Sequence, residues 1–278
     1  MRILSSQKIQ DACYTLIQQA CTSIAPNCIT AMQKASAIEE NKSAKFALNI
    51  LLQNAALAEK NKLPICQDTG FAIFFIQIGR DVYIQGNLEQ AIQTAVRQAY
   101  HNFYFRKSIC DPITRTNTTD NTPANIHIEF TEGNNVEIIF MPKGFGSENM
   151  SKLFMLTPAQ GVEGILNAIV QTVQDAGSNP CPPIIVGVGI GGTFDSAPLL
   201  AKKALLREVG SRHTREDIQK LEMEARTRIN ALHIGAQGFG GNTTALAVHI
   251  EVAPTHIAGL PVAINIQCHC MRIAKIVI

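Results

Sequence analysis

The sequence predicts an α/β (α+β) fold in which mixed β-sheets are flanked by helices, built as a single compact unit. Three observations support this prediction: a helical N-terminal third, several β-branched apolar runs later in the chain, and a mixture of hairpin and crossover connections. No repeat, low-complexity tract or flexible linker divides the 278 residues. We therefore expect one domain covering 1–278, with 1–60 as its helical N-terminal part.

The first 60 residues have the periodicity of helices. Apolar side chains recur on one helical face from Ile9 to Ala20. Ser36 and Glu39 have the spacing of a capping box, and a second amphipathic stretch follows them as far as about Lys60. These helices are expected to form scaffold rather than a site.

The middle of the chain mixes strands and helices. Residues 71–78 form a β-branched and aromatic run typical of a buried strand, and Asn87 caps an amphipathic helix that ends before Arg106. Two further apolar runs, 125–130 and 135–141, flank a turn containing glycine and asparagine. This pattern predicts a β-hairpin.

The last part of the chain continues the alternation. Thr157 is expected to cap a helix that ends at Gly177, and Gly210 ends a later helix. The other predicted elements are a strand at 184–188, helices beginning at Ser196 and Thr214, and strands at 243–252 and 260–267. Strands joined both by a hairpin and by helices favour mixed sheets.

Composition argues against several classes of partner. The net charge is only +2, and no run of lysine or arginine marks a surface for nucleic acid or an acidic membrane. Polar residues interrupt residues 1–20, which therefore predict neither a signal peptide nor a membrane span. We expect a cytoplasmic protein whose eight cysteines stay reduced.

Three cysteines lie in glycine- or proline-rich junctions between elements: Cys66 in PICQDTG, Cys181 in NPCPP and Cys268 in QCHC. Loops at such junctions can direct side chains into a cleft. Three separated thiolates can hold zinc or an iron–sulfur cluster, and their spacing alone leaves both open. Each cysteine considered singly is equally consistent with a buried free thiol.

Five stretches in a fixed order are more specific. They are LPICQDTG (63–70), FRKSICDP (105–112), PKGFGSENMSKLFMLTPAQG (142–161), NPCPPIIVGVGIGGTFDSAPLLAKKALLR (179–207) and GAQGFGGNTTALAVHIEVAPTHIAGLPVAINIQCH (235–269). Together they resemble the α subunit of class I fumarate hydratase and the similar L(+)-tartrate dehydratase α subunit. These subunits correspond to the N-terminal catalytic domain of single-chain relatives.

The resemblance implies a hydro-lyase acting on a small dicarboxylate. Hydration of fumarate to (S)-malate is the expected reaction; dehydration of L(+)-tartrate to oxaloacetate is the alternative, and mesaconate is a further substrate of the same kind. The implied cofactor is a [4Fe–4S] cluster held by Cys66, Cys181 and Cys268, with one iron left open as a Lewis acid.

The same resemblance assigns substrate contacts to Gln67, Asp68, Arg106 and His256, with Asp68 and His256 as the catalytic pair. Without the motifs, Arg106 would be interpreted as a cation at a helix end and Asp68 as a turn residue. The chain ends at Ile278, whereas single-chain relatives continue into a second domain. We therefore expect a β subunit, an active site at the α–β interface and an α₂β₂ assembly.

Departures from the family pattern leave two alternatives. Cys270 stands where a small residue is common, and in an extended segment its thiol would lie on the same face as that of Cys268. If Cys270 were a fourth ligand of the cluster, the protein would be an electron-transfer carrier.

The GxGxxG pattern at 187–192 suggests an NAD-dependent dehydrogenase, but no acidic residue at the end of a second strand follows it. Its glycines more simply permit a close backbone turn near the site. Phe145, in a loop that is often all glycine, is expected to alter backbone contacts to substrate.

Overall fold

The computed structural model describes all 278 residues, and the chain divides into two compact units. The first unit contains Met1–Ile24, Ala55–Phe145 and Arg272–Ile278, and the second contains Ala25–Asn54 and Gly146–Met271. Each unit combines helices with a mixed sheet, which confirms the predicted fold class. No linker composition marks the boundaries, so the sequence gives no sign of this division. The assignment of 1–278 to one catalytic domain stays a prediction.

The helices are α1 (Ser6–Thr22), α2 (Pro26–Ile38), α3 (Lys42–Asn61), α4 (Leu88–Asn102), α5 (Phe145–Glu148), α6 (Gly161–Ala176), α7 (Ser196–Ala204) and α8 (Glu216–Asn230). The strands are β1 (Arg2–Ser5), β2 (Phe71–Gly79), β3 (Val82–Gln85), β4 (Asn125–Thr131), β5 (Val136–Lys143), β6 (Lys152–Leu156), β7 (Ile184–Gly192), β8 (Ala245–Thr255), β9 (Leu260–Gln267) and β10 (Ala274–Val277). None of the helices combines the length and apolar character that a membrane crossing requires.

The predicted capping box at Ser36 is wrong. Ser36 lies inside α2, where its hydroxyl donates to the Asn49 side chain at 2.8 Å. Asn41 caps α3 instead, because its side-chain oxygen accepts the backbone N–H of Ala44 at 3.1 Å. Glu39 accepts the backbone N–H of Asn242 at 2.8 Å, so this carboxylate joins two loops rather than starting a helix.

The first unit contains a four-stranded sheet in the order β10-β5-β2-β4, with α1 and α4 packed on it. The predicted hairpin is wrong, because β2 lies between the two runs, parallel to β4 and antiparallel to β5. Just after β2, the backbone N–H groups of Arg80 and Asp81 donate to the carbonyls of Thr131 and Gly133 at 2.8 and 3.0 Å. These two residues thus bond to the segment that was expected to form the hairpin turn. Because β2 is buried along most of its length, both of its edges need partners.

The second unit contains a sheet in the order β6-β9-β7-β8, with α6 and α8 on the core formed by its apolar residues. Gly187 and Gly189 of the GxGxxG pattern lie within β7, not in a loop. A Cβ at either position would lie 2.2 Å from a backbone oxygen of α7. These two glycines therefore allow α7 to pack closely on β7, and they do not form a dinucleotide-binding turn.

Several local predictions are confirmed. Gly177 ends α6 with a φ of 53°, and the Asn87 side chain accepts the N–H of Gln90 at 2.9 Å at the start of α4. The later helices differ from their predicted bounds, since α7 ends at Ala204 and α8 begins at Glu216. The short strands β1, β3, β6 and β10 were not predicted, because four or five residues carry too little periodicity.

Candidate active site

The loop before β2 in the first unit carries three of the predicted site residues: half-buried Cys66, exposed Gln67 and half-buried Asp68. Its start is anchored by the Ile65 N–H, which donates to the Cys21 carbonyl at 3.1 Å. The Cys66 Sγ lies 3.5 Å from the side-chain oxygen of Gln67. The loop thus presents a thiol and an amide side by side.

The Asp68 carboxylate is held by two backbone N–H groups. One oxygen accepts from Gly70 at 3.0 Å, and the other accepts from Phe145 at 2.8 Å. The Asp68 carbonyl accepts from Arg272 Nη1 at 2.7 Å, and Arg272 is only 2% exposed. Both the side chain and the backbone of Asp68 are therefore fixed. The Phe145 backbone N–H thus orients this carboxylate, and the expected effect of Phe145 on substrate contacts stays a prediction.

Arg106 is joined to the same loop through its backbone. The Thr69 hydroxyl donates to the Arg106 carbonyl at 2.8 Å. The buried Tyr100 hydroxyl lies 3.0 Å from the carbonyl oxygens of both Thr69 and Gly70. Burial raises the pKa of Tyr100 well above its ordinary value, which keeps the hydroxyl a donor. The Arg106 guanidinium is exposed and forms no ion pair within the chain.

Two supporting residues were missed by sequence analysis. Tyr100 lies on the apolar face of α4, where an aromatic residue is usually interpreted as core. Arg272 follows the last family stretch, and only its burial and its bond to Asp68 reveal its role. The one available signal was an arginine in a mostly apolar C-terminal segment that also contains Lys275.

In the second unit, Cys181 lies in the loop between α6 and β7. It is exposed and has a φ of 55°, and its N–H donates to the Ser178 carbonyl at 3.0 Å. Such a φ is uncommon for a residue with a side chain. The thiol therefore belongs to a turn of unusual backbone conformation, five residues after α6 ends at Ala176.

Cys268 follows the last residue of β9 and is half-buried. The chain bends at His269, where the Met271 N–H donates to the His269 carbonyl at 2.9 Å. Residues 268–270 are therefore not an extended strand, which removes the geometric premise for Cys270 as a fourth ligand. Cys270 is only 3% exposed, and its carbonyl accepts from the Gln267 side chain at 2.9 Å.

The second unit brings the Cys181 and Cys268 segments together through His269, whose Nδ1 lies 2.9 Å from the Cys181 carbonyl oxygen. His256, the other predicted site residue of this unit, is exposed just beyond β8. Its Nδ1 accepts the Ala258 N–H at 3.2 Å, so the neutral ring carries its proton on Nε2.

The cysteines sort by accessibility. Four are buried, and four are at least partly exposed: Cys66, Cys110, Cys181 and Cys268. Burial raises the pKa of each of three buried thiols, Cys13, Cys21 and Cys28, to about 12. A protonated thiol is a poor ligand. The three predicted ligand cysteines all belong to the accessible group, and thiolates are the donors that iron–sulfur clusters use. The donor set therefore fits the expected cofactor.

The predicted ligands are divided between the units, with Cys66 in the first and Cys181 and Cys268 in the second. Neither unit by itself holds three or more His, Cys, Asp or Glu side chains arranged to bind a metal ion. The ligand set from the sequence thus stays a prediction.

Thiol labelling should separate the two groups of cysteines. In chelator-treated chain at pH 8, iodoacetamide should modify the four accessible cysteines within minutes and leave Cys13, Cys21 and Cys28 intact. With a pKa near 12, roughly one buried thiol in 10,000 is ionised at that pH, and the thiolate is the nucleophile. Peptide mass spectrometry measures the sites, and denatured chain is the control that labels all eight. Equal rates at Cys28 and Cys181 would contradict the expected burial.

A family model described as Fumarate hydratase (Fumerase) matches residues 10–277. The "Putative L(+)-tartrate dehydratase subunit alpha" of Methanocaldococcus jannaschii is 43% identical over 272 residues, which cover 95% of each chain. The "L(+)-tartrate dehydratase subunit alpha" of Escherichia coli (strain K12) is 30% identical over 240 residues, which cover 84% of this chain and 78% of the relative. The similarity therefore extends over both units.

Proposed function

The chain belongs to the Fumarate hydratase (Fumerase) family of hydro-lyases, and we propose that it is the α subunit of an L(+)-tartrate dehydratase. The observation that carries this proposal is the 43% identity, over 95% of the chain, to the relative named "Putative L(+)-tartrate dehydratase subunit alpha". Fumarate, the substrate expected from the motifs, is the second candidate and is favoured by the description of the family model. Both substrates are four-carbon dicarboxylates, so the same chain residues serve either one.

Members of this family generally depend on an iron–sulfur cofactor. We propose that Cys66, Cys181 and Cys268 hold a [4Fe–4S] cluster with one iron that has no protein ligand. When bound, such a cluster supplies a Lewis acid for the substrate hydroxyl and carboxylate without any redox change. The accessibility of these three thiols supports the assignment.

Asp68 is proposed to exchange the proton with the substrate carbon. Hydrogen bonds from Gly70 and Phe145 fix the plane of its carboxylate, and each oxygen keeps a further lone pair for a proton or a substrate group. A carboxylate held in one orientation loses little entropy when it reaches the reactive geometry. The buried Arg272 supports that orientation through the Asp68 carbonyl.

Arg106 and Gln67 are proposed to bind the substrate carboxylates. The Arg106 guanidinium is exposed and has no carboxylate partner within the chain, so it is available for a bidentate pair. Proton removal beside a carboxylate builds negative charge on that carboxylate, and a positioned cation stabilises it. The exposed Gln67 amide adds a neutral donor next to Asp68.

His256 is proposed as the second catalytic group. Because its Nδ1 accepts the Ala258 N–H, the Nε2–H of the neutral ring is oriented as a donor toward solvent or substrate. Such a donor can hydrogen-bond a substrate hydroxyl and stabilise the negative charge that develops on its oxygen as the C–O bond breaks.

The relatives are named as α subunits, which implies a β subunit. We propose that the β subunit completes an active site at the α–β interface, that the assembly is α₂β₂, and that it acts in the cytoplasm, where reduced thiols persist.

Turnover measurements test the substrate. The chain is co-expressed anaerobically with its β subunit, and kcat/KM is measured for L(+)-tartrate, (S)-malate and fumarate. We expect L(+)-tartrate to be preferred by at least about 100-fold, because a site that hydrogen-bonds the additional hydroxyl discriminates strongly against substrates that lack it. The D isomer of tartrate is the matched control and should react slowly. A higher kcat/KM for fumarate or malate would establish the second candidate instead.

A further inference from the structure

His269 connects two cysteine segments of the second unit. Its side chain is 8% exposed, and its Nδ1 lies 2.9 Å from the carbonyl oxygen of Cys181. Its own carbonyl accepts from the Cys28 Sγ at 3.4 Å and from the Met271 N–H. The residue that follows Cys268 is therefore tied both to the Cys181 loop and to α2.

Gln237 holds the same loop from a second direction. Its backbone N–H and its side-chain Nε2 both donate to the Pro182 carbonyl, at 2.7 and 2.8 Å. The Gln237 Nε2 also lies 3.5 Å from His269 Nδ1, near the limit for a hydrogen bond. The two contacts require opposite roles of Nδ1, because the Cys181 carbonyl can only accept a hydrogen bond and the Gln237 amide nitrogen can only donate one. The contact with the Cys181 carbonyl is the shorter, so we assign the hydrogen bond to it. Nδ1 therefore carries the proton, and it donates to the Cys181 carbonyl.

The loop between these contacts contains three prolines and a residue with an uncommon backbone conformation. Pro180, Pro182 and Pro183 have no N–H to donate, and Cys181 has an uncommon φ of 55°. A non-glycine residue persists in that conformation only when its surroundings hold it. Two neighbouring loop carbonyls, those of Cys181 and Pro182, accept hydrogen bonds from His269 and Gln237.

We propose that His269 is a positioning residue, supported by Gln237, that fixes the Cys181 loop against the Cys268 segment before a cofactor binds. This inference rests on the proposed function, in which Cys181 and Cys268 are ligands. Binding a cluster to loops that already have their bound conformation avoids the entropic cost of ordering them. Residues that orient ligands in this way commonly affect metal affinity about 10- to 100-fold.

Three variants of the full chain separate the hydrogen bond from packing. His269→Leu removes the donor and keeps an apolar side chain of moderate size. His269→Asn keeps a donor, because the Asn side-chain amide occupies nearly the same place as Nδ1. His213→Leu is the matched control, since it removes another histidine hydrogen bond in the same unit, to Arg215, away from the cysteines. Circular dichroism verifies that each variant folds.

The first measurement needs no cofactor. In chain without a cluster, His269→Leu should increase hydrogen exchange at the amides of Asn179, Cys181 and Ile184 at least about tenfold, whereas His269→Asn and His213→Leu stay near the original rate. The second measurement is iron release to a chelator after anaerobic reconstitution. His269→Leu should release iron about 10- to 100-fold faster, and the other two variants within about threefold of the unchanged chain.

Two results would overturn the proposal: original exchange and release rates in His269→Leu, or an effect of His269→Asn or His213→Leu as large as that of His269→Leu. If the unchanged chain takes up no cluster at all, the proposed function fails. The exchange measurement then still decides whether His269 holds the loop.

Discussion

Replacing any one of Cys66, Cys181 and Cys268 with alanine should reduce turnover by at least about a thousandfold. A Lewis-acid site contributes several kcal/mol to transition-state stabilisation, and about 4 kcal/mol corresponds to that factor. Iron content after anaerobic reconstitution and turnover are measured on the same samples. Each variant should lose both together, because the activity depends on a cluster that two thiolates hold poorly.

Cys110 provides the matched control for this prediction. It is half-buried like Cys66 and Cys268, and it lies in one of the family stretches, but it is not among the proposed ligands. Cys110→Ala should keep iron content and turnover within about threefold of the original, as expected for a substitution away from the site. An equal loss in Cys110→Ala, or full iron content in Cys181→Ala, would contradict the ligand assignment.

Cys270→Ala tests the electron-carrier alternative within the same series. The thiol is buried and follows a bend, so the substitution should leave the cluster in place. Loss of iron in Cys270→Ala would identify a fourth ligand, and a cluster with four protein ligands has no open iron for catalysis. That result would favour an electron-transfer protein over a hydro-lyase.

The features predicted correctly from the sequence are those set by local chemistry. Gly177 ends α6 because glycine adopts a positive φ at little cost, and Asn87 caps α4 because its side chain accepts an N–H three residues ahead. Such signals are complete within a few residues. Six of the eight helices and most strands therefore lie close to where they were expected, whereas α2 and α5 were not predicted.

The failed predictions depended on distant partners. The runs 125–130 and 135–141 look like a hairpin, but β2, over 40 residues earlier at its end, lies between them. Ser36 resembles a cap because its spacing to Glu39 is right, whereas the Glu39 carboxylate bonds to Asn242. Pairing and loop contacts at such separations leave no periodic trace in the sequence.

The same distinction applies to the candidate site. The motif places Cys66, Gln67 and Asp68 together because they are adjacent, but the group that holds the Asp68 carbonyl, Arg272, is 204 positions away. Likewise, nothing in the sequence distinguishes His269 from other histidines, and its role follows only from its hydrogen bond to the Cys181 carbonyl. Sequence analysis thus found the candidate chemical groups and missed the residues that orient them.

Gly70→Ala should destabilise the chain by about 3–5 kcal/mol, combining backbone strain with overpacking. Gly70 has a φ of 87°, and an added Cβ would lie 2.8 Å from the Pro142 carbonyl carbon and 2.9 Å from the Lys143 nitrogen. These are backbone atoms of β5, and Lys143 is paired with Phe71 in the sheet. The clash cannot be relieved by rotating a side chain.

Gly133→Ala is the matched control, because Gly133 has a similar φ of 92° but no atom within 4 Å of an added Cβ. Gly133→Ala should lower the free energy of unfolding only by the backbone strain, about 1–3 kcal/mol. Gly70→Ala should therefore be the more destabilising by about 2 kcal/mol in urea unfolding.

Because the Gly70 N–H also orients the Asp68 carboxylate, a displaced turn should lower turnover about 100-fold in Gly70→Ala alone. Equal free energies of unfolding for the two variants would show that β5 yields to the added methyl group. Unchanged turnover in Gly70→Ala would show that the position of Asp68 does not limit the reaction.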